Sequence, residues 1–192
     1  GSKYSIGINN YGFGAAYDRF IDLHPASTKG HLILKYLSVI KSGFNIHEDK
    51  WHQLLKDFKP KPDLYINEDA RLKVTAILED LGFTEERPLI VLHTTAGWKE
   101  KEWDPLKFSR LMEEIHQKNY NFIFIGDDRD KTNFDFILQN SNLNGKGKFK
   151  DRFLKLKFLE VAELISRADV FIGADSAPLH IAGAMETPSI GI

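Results

Sequence analysis

The stretch Leu89–His93, which reads LIVLH, is a continuous apolar run that begins directly after Pro88. Unbroken apolar runs of this length are typical of strands that are buried on both faces of a parallel sheet. Two further runs, Phe122–Ile125 (FIFI) and Val170–Gly173 (VFIG), repeat the pattern, and Ser189–Ile192 gives another at the end of the chain. We therefore predict that these segments are strands of one parallel sheet.

Helical patterns separate these strands. Asp104 is suited to cap a helix, and Pro105 to fill its first position, where no amide hydrogen is needed. The chain therefore alternates strands with helices, which is the order of βαβ units in a parallel sheet. We predict the α/β class with a Rossmann-like sheet, and helices over residues 105–118, near 132–139, over 158–167 and over 178–186.

The first half of the chain has weaker patterns. Its clearest helix covers residues 68–81, because Asn67 can cap a first turn that carries acidic residues. A change of texture near residues 82–88 predicts a domain boundary, which divides the chain into 1–85 and 86–192. Elsewhere we predict a strand over Tyr4–Ile8, a helix over 28–42 capped by Thr28, one or two turns over Trp51–Phe58 and a short strand over Leu64–Ile66.

The composition excludes several classes of protein. The 192 residues are 42% hydrophobic and 28% charged, as in an ordinary globular protein, and the net charge of −1 gives no overall attraction to nucleic acid or to an anionic membrane. Cysteine is absent, so there is no disulfide and no thiolate metal site. No apolar run approaches the roughly 18 residues of a membrane span.

The two ends of the chain suggest a longer protein. The chain begins with Gly1-Ser2 rather than Met, and it ends on a predicted strand. A strand of a parallel sheet is normally covered by a helix that follows it. We therefore expect that the native chain extends beyond both ends.

Three loops that follow predicted strands carry the candidate chemistry: residues 94–103, 126–130 and 174–180. In open parallel sheets, ligands bind beyond the C-terminal ends of the strands, so we expect the three loops at one edge of the sheet. In the third loop, Ser176 is suited to cap a helix that starts at Ala177 or at the proline after it. The free amide groups of such a first turn bind phosphate.

The polar side chains of these loops suit a ligand with phosphate and sugar groups. Asp175 would repel phosphate, so we expect it to accept hydrogen bonds from sugar hydroxyls. The carboxylates of the second loop suit ribose hydroxyls, as an acidic residue does in dinucleotide-binding folds. The groups that suit a pyrophosphate, whose charge grows as a nucleoside diphosphate leaves, are Thr94, Thr95, Lys99 and Lys101.

Each of these features also has a purely structural reading. Residues 175–178 (DSAP) could be an ordinary helix cap, and His93 could be a hydrogen-bonded histidine of the core. Trp98 and Trp103 are expected to pack rather than to stack on a ligand. A basic segment could meet a phosphorylated acceptor in a membrane, but a solvated loop is the favoured reading. That segment contains Lys146, Lys148, Lys150, Arg152, Lys155 and Lys157.

The sequence resembles glycosyltransferase family 9, the heptosyltransferases of lipopolysaccharide core synthesis. The motif that carries most of the resemblance is DSAPLHIAGA at 175–184. The resemblance is strong over residues 88–192 and weaker over 1–85. The other matching motifs are HTT at 93–95, KEW at 101–103, FIFIG at 122–126 and VAELI at 161–165.

The resemblance implies a fold of two Rossmann-like domains that face each other across a cleft, the GT-B type. It implies inverting transfer of a sugar, heptose or a related one, from a nucleotide diphosphate to a lipopolysaccharide-type or other glycan acceptor. No cofactor, metal or nucleic acid is implied, since the nucleotide sugar is a substrate, with ADP favoured as its nucleotide. The acceptor would be lipid-linked and the enzyme cytoplasmic, where it could contact the inner face of the membrane peripherally.

The resemblance also assigns roles to individual residues. Thr95 and Lys101 match residues that bind the diphosphate, and Asp175 matches the carboxylate that holds the donor sugar. Asp130 falls at the position of a ribose-binding acid, and Leu156 falls near the base. The helix N-terminus that holds the phosphates corresponds to Ser176, Ala177, Leu179 and His180.

Two departures from the family pattern leave questions open. The loop from His93 to Trp103 is one residue longer than the pattern, so Lys99 competes with Lys101. No residue matches the family's general base, so the catalytic residue is unassigned and this fragment is expected to be inactive alone. A non-catalytic nucleotide-sugar-binding module is the alternative. A dinucleotide oxidoreductase is disfavoured, because no G-x-G-x-x-G follows a predicted strand.

Overall fold

The computed structural model describes residues 5–8, 17–21, 32–58, 62–145 and 147–192. The chain forms two compact units, Gly1–Lys61 and Pro62–Ile192. Thr28, the predicted cap of the first helix, and Lys146 of the basic segment lie outside the described residues.

The first unit combines two short parallel strands, β1 (Ile6–Ile8) and β2 (Arg19–Ile21), with two helices, α1 (Leu32–Gly43) and α2 (Glu48–Leu55). The predicted strand at the start of the chain is confirmed by β1. The sequence did not predict β2, because this strand begins with the charged Arg19 and has only two apolar residues, too few to show a pattern.

The second unit alternates strands with helices, as predicted. Asn67 caps α3 by accepting a hydrogen bond from the amide of Ala70, and Asp104 caps α4 by accepting one from Leu106. The elements are α3 (Glu68–Asp80), β3 (Leu89–His93), α4 (Pro105–Gln117), β4 (Asn121–Ile125), α5 (Asp128–Gln139), β5 (Phe153–Leu154), α6 (Phe158–Ser166), β6 (Val170–Gly173), α7 (Ala177–Ala184) and β7 (Ser189–Gly191).

The five strands of this unit form one parallel sheet in the order β5-β4-β3-β6-β7. The central strand is β3, with β4 on one side and β6 on the other. From β3 the chain proceeds through β4 to β5 at one edge of the sheet. It then returns to β6 on the other side of β3 and continues to β7, so the order of the strands reverses between β3 and β6. This arrangement confirms the α/β class and the Rossmann-like sheet, and it places a topological switch point between β3 and β6.

Both faces of the sheet are buried at its central strands β3, β4 and β6, as the continuous apolar runs predicted, whereas the edge strand β7 is exposed. Val91 lies beside Ile123 and Phe171 in the register and packs on the face covered by α3, α6 and α7. The next residue, Leu92, lies on the opposite face, which α4 and α5 cover. Alternate residues of a strand point to opposite faces, so a strand between two helical layers has to be apolar at every position.

The boundary between the units lies at Pro62, which differs from the predicted boundary at 82–88. Val74 on α3 is buried in the same core cluster as Leu89 and Val91 of β3. Burial of an apolar side chain of this size contributes about 1.5–3 kcal/mol to the free energy of unfolding. Helix α3 is therefore held on the five-stranded sheet, although it precedes β3, the first strand of that sheet. Ile66 belongs to the same cluster, but residues 64–66 form no strand.

Helix α5 begins at Asp128, earlier than the start predicted near residue 132. Asp127 accepts hydrogen bonds from the amides of Arg129 and Asp130, and the Asp130 carboxylate accepts one from the amide of Asp127. This reciprocal capping box satisfies amide groups that a helix start otherwise leaves open. The sequence predicts a polar loop over this acidic segment, because its carboxylates give no apolar periodicity.

We expect the free energy of unfolding to depend on Phe124 far more than on Phe158. Phe124 is fully buried and its ring lies 5.0 Å from that of Phe134, whereas Phe158 is exposed at the start of α6. Phe124→Ala should therefore cost about 3–5 kcal/mol, and Phe158→Ala less than about 1 kcal/mol. Urea unfolding followed by circular dichroism would measure both, and equal losses would contradict the described core.

Candidate active site

The loops after β3 and β6 meet at the C-terminal edge of the sheet, on either side of the switch point. The first loop contains a short 3-10 helix, Lys99–Lys101, and the other leads into α7. Lys101 Nζ lies 2.7 Å from Asp175 Oδ2, so an ion pair connects the two loops. Both side chains are about half exposed, which leaves the pair open to a ligand from solvent.

The electrostatics of this pair fix the charge of Asp175. The hydrogen bond from Lys101 and its positive charge lower the pKa of Asp175, and His180, whose Nε2 is 3.9 Å from Asp175 Oδ1, acts in the same direction. Asp175 is therefore ionised at neutral pH. A carboxylate in this state accepts hydrogen bonds and donates none.

The structure distinguishes the two lysines that the sequence left in competition. Lys99 and Lys101 occupy the same short helix, and the amide of Lys101 donates to the carbonyl of Trp98 to close its turn. Lys101 reaches Asp175 across the switch point. Within the described part of the chain, Lys99 forms no ion pair with the third loop, so Lys101 is the better-placed cation.

A chain of hydrogen-bonding groups, buried except for the half-buried Ser176, links the three loops. Thr95 Oγ1 donates to Asp130 Oδ1 at 2.5 Å, and His93 Nε2 lies 3.5 Å from the same oxygen. On its other side, His93 Nδ1 lies 3.1 Å from the Ser176 hydroxyl. We call these four residues the buried polar chain; they come from the end of β3, the first turn of α5 and the start of α7.

The pKa of His93 is lowered by burial, and the neighbouring Asp130 only partly offsets this effect. Burial disfavours the imidazolium because the protein interior solvates charge poorly. His93 is therefore neutral at neutral pH, and only 8% of its surface is exposed. The alternative that the sequence left open, a hydrogen-bonded core histidine, describes its surroundings correctly.

The positions of Asp130 and Thr95 differ from the ligand contacts expected of them. Asp130 is only 3% exposed, and its two oxygens accept from Thr95 and from the amide of Asp127. Both oxygens of its carboxylate are thus engaged inside the protein, and the contact with ribose stays a prediction. Thr94 and Thr95 are also buried, so the cations of this loop, rather than its hydroxyls, face solvent.

The first turn of α7 is not capped in the way the sequence predicted. Ser176 occupies the N-cap position, but its hydroxyl makes no cap hydrogen bond and lies 3.1 Å from both His93 Nδ1 and the carbonyl of Ala174. Pro178 has no amide hydrogen, and the amide of Leu179 donates to the carbonyl of Ser176. Of the expected amide donors, Leu179 is therefore already engaged.

Two residues that the sequence analysis missed hold the first loop in place. Glu102 accepts a hydrogen bond from the amide of Ala96, and Arg129 donates to the carbonyl of Ala96 at 2.7 Å. Arg129 also lies 3.8 Å from Glu102. The KEW motif contained Glu102, but nothing in the sequence showed that Glu102 and Arg129 would hold the N–H and the C=O of the same residue.

The two tryptophans of the first loop behave differently. Trp103 packs edge-on against Phe108 with the ring centres 5.1 Å apart, as predicted. Trp98 is 71% exposed, so the prediction that it packs is wrong for this residue. Trp98 occupies the position directly before the short helix Lys99–Lys101.

The expected base contact and the basic segment lie near β5. Leu156, three residues after the start of this strand, is half-buried against the core. Lys155 pairs with Asp128 at 2.7 Å, and the half-buried guanidinium of Arg152 lies 4.0 Å from the ring centre of Phe83. Lys155 and Arg152 thus contact other residues of the chain, which agrees with the interpretation of the basic segment as a loop rather than as a surface for an acceptor.

Comparison with known proteins identifies the family. The sequence profile of glycosyltransferase family 9 (heptosyltransferase) matches residues 16–192. The chain belongs to glycosyltransferase family 9. It is 36% identical to lipopolysaccharide heptosyltransferase 3 of Escherichia coli over 106 residues, which is 54% of this chain and 30% of that protein. The protein of the same name from strain K12 is 31% identical over 141 residues, 72% of this chain and 39% of its own length.

Solved structures with the same fold confirm the architecture. A family 9 glycosyl transferase from Veillonella parvula aligns with a TM-score of 0.73 at 16% identity and covers 94% of this chain. The E. coli ADP-heptose lipopolysaccharide heptosyltransferase II aligns with a TM-score of 0.71 at 15% identity and covers 96%. The alignments take in 48% and 54% of those two chains, so this family 9 chain spans about half of such a structure.

Among the described residues, no helix has both the length and the apolar character that a membrane span requires.

The buried His93 should make stability depend on pH. Because its pKa in the folded chain lies below the roughly 6.5 of an unfolded chain, the unfolded state binds a proton first as the pH falls. The contribution of His93 to the free energy of unfolding is thus fully present above about pH 6.5. Below that pH it decreases, by at most about 1.4 kcal/mol per pH unit. Urea unfolding between pH 5 and 8 should show a smaller loss in His93→Asn than in wild type.

The exposed His52 on α2 provides the control for this measurement. His52→Asn removes an imidazole that lies outside the buried polar chain, so its pH profile should follow that of the wild type. Identical profiles for His93→Asn and wild type would contradict the burial of a neutral His93.

Proposed function

We propose that this chain is the donor-binding half of an inverting glycosyltransferase, which moves heptose or a related sugar from a nucleotide diphosphate to a lipopolysaccharide-type or other glycan acceptor. The observation that carries the proposal is the Lys101–Asp175 ion pair, because it places a cation and a carboxylate together at the switch point of a parallel sheet. Ligands of open α/β sheets bind at this point.

The two charges suit the two parts of a nucleotide sugar. Lys101 binds the diphosphate, and its charge stabilises the negative charge that grows as the nucleoside diphosphate leaves. Asp175 accepts hydrogen bonds from sugar hydroxyls. The donor would therefore replace the ion pair between them with two ligand contacts. The amide of Ala177, at the start of α7, offers a further donor to the phosphate nearest the sugar.

The relatives support the finer assignments. An E. coli heptosyltransferase has been solved with ADP and with ADP-2-deoxy-2-fluoro heptose, and its chain aligns with this one at TM-scores of 0.55 and 0.54. ADP is accordingly the nucleotide that we expect here. A lipid-linked acceptor, a cytoplasmic location at the inner membrane face and catalysis without a cofactor complete the proposal. The general base is not assigned to any residue of this chain, so the chain alone should bind donor without transferring sugar.

Calorimetric titration with ADP, UDP, GDP and CDP tests the assignment of Lys101. ADP should bind saturably, and Lys101→Ala should weaken its binding by about tenfold to a hundredfold, the effect of losing a hydrogen bond to a charged group. Lys99→Ala is the matched control: it removes the same charge from the same short helix and should change affinity by less than about threefold. Equal losses in the two variants would contradict the role of Lys101, and a wild-type chain that binds no nucleotide would contradict the proposed function.

Asp175 should favour the nucleotide sugar over the nucleotide. Asp175→Asn removes a negative charge next to Lys101, so ADP should bind as tightly as in wild type or more tightly. The extra affinity that the sugar provides should fall, because the amide is a weaker acceptor than the carboxylate. Titrations of the wild type and of Asp175→Asn with ADP and with ADP-heptose measure the ratio of the two dissociation constants in each protein. A uniform loss for both ligands would contradict the assignment of Asp175 to the sugar.

A further inference from the structure

The buried polar chain places His93 directly beneath the loop that carries the proposed ligand groups. Ser176 lies between Asp175, assigned to the sugar, and Ala177, whose amide is assigned to phosphate. The side chain of Ser176 lies 3.1 Å from His93 Nδ1. We propose that His93 is a positioning residue of the donor site, which fixes Ser176 and through it the two groups on either side. This inference rests on the proposed function.

The acceptors around His93 determine which of its nitrogens carries hydrogen. Asp130 faces Nε2, and both of its oxygens already act as acceptors, from Thr95 and from the amide of Asp127. A neutral imidazole has one N–H, and it belongs on the nitrogen that faces a carboxylate. Nε2 therefore carries the hydrogen, and Nδ1 shares the single hydrogen of the Ser176 hydroxyl with the carbonyl of Ala174, since both acceptors lie 3.1 Å from the hydroxyl oxygen.

This arrangement explains why Ser176 does not act as an ordinary N-cap. A capping serine accepts a hydrogen bond from the second or third amide of the helix. Here the second position is Pro178, which has no amide hydrogen, and the third amide, that of Leu179, donates to the carbonyl of Ser176. The hydroxyl instead points towards His93 and the carbonyl of Ala174, and it secures the loop from below.

The charged groups around His93 belong to two other segments of the second unit. Asp130, Asp127 and Arg129 come from the start of α5, and Glu102 comes from the first loop. Arg129 and Glu102 also hold the C=O and the N–H of Ala96, respectively. His93 thus lies where the loops after β3, β4 and β6 are tied together, so a change at this residue should reach the ligand groups without touching the ligand.

Two amide variants separate the two nitrogens of His93. The side-chain amide of asparagine reaches the position of Nδ1, and that of glutamine reaches the position of Nε2. His93→Asn thus keeps an acceptor for the Ser176 hydroxyl, and His93→Gln keeps a donor for Asp130 but loses the contact with Ser176. We expect His93→Gln to weaken ADP binding by about tenfold and His93→Asn by less than about threefold.

Calorimetry with ADP on the intact chain, with thermal unfolding of each variant, makes the comparison. In a Ser176→Ala background, His93→Gln should cause no further loss of affinity, because its effect acts through the hydroxyl. His52→Gln, on the exposed face of α2, controls for loss of an imidazole. Equal losses in His93→Asn and His93→Gln, or additive losses with Ser176→Ala, would overturn the positioning role and show that His93 only fills space.

Nitrogen NMR of the His93 imidazole gives a readout that is independent of ligand binding. At pH 7 the long-range proton–nitrogen spectrum should show hydrogen on Nε2 and none on Nδ1. Hydrogen on Nδ1 would overturn the inference even if ADP binds. A wild-type chain with the expected tautomer that binds no nucleotide would instead count against the proposed function and, with it, against a positioning role in donor binding.

Discussion

The buried chain from Thr95 through Asp130 and His93 to Ser176 is the constraint on which the rest of the site depends. Its members come from three segments that parallel strands bring to one edge of the sheet. Polar groups in the interior are costly unless each finds a partner, and here each finds one in another segment. The loops are thereby fixed relative to one another before any ligand arrives, which reduces the ordering that binding would otherwise require.

The sheet itself could be predicted from the sequence because its pattern is local and strong. Leu89–Leu92 is apolar at every position since helices cover both faces, and the structure buries this strand as predicted and places it at the centre of the sheet. The boundary of the unit could not be predicted in the same way. Whether α3 packs on this sheet depends on contacts between Val74 and residues beyond the following loop, and no local pattern records such contacts.

The sequence predicted which loops form the site, but it predicted the contacts of individual side chains less well. Lys101 and Asp175 lie together at the sheet edge where the argument from strand ends placed them. Asp130 and Thr95 lie in the right loops, yet they are turned inward to each other. The reason is Gly126, where a side-chain carbon would lie 2.2 Å from the Cβ of Asp130. Only glycine permits α5 to start so close to the strand, and that close approach buries the carboxylate.

On the proposed function, the Lys101–Asp175 ion pair influences the release of the product. Before the donor binds, each charge is neutralised by the other, so neither is left exposed without a partner. A donor with both diphosphate and sugar satisfies both charges when it separates them. Once the sugar has been transferred, the nucleoside diphosphate satisfies Lys101 but leaves Asp175 as an ionised carboxylate beside the phosphates. The carboxylate and the phosphates repel each other because both are negatively charged. Asp175 reduces this repulsive energy when it pairs with Lys101 again. On the proposed assignment, the ion pair therefore competes with the product more effectively than with the substrate and favours product release.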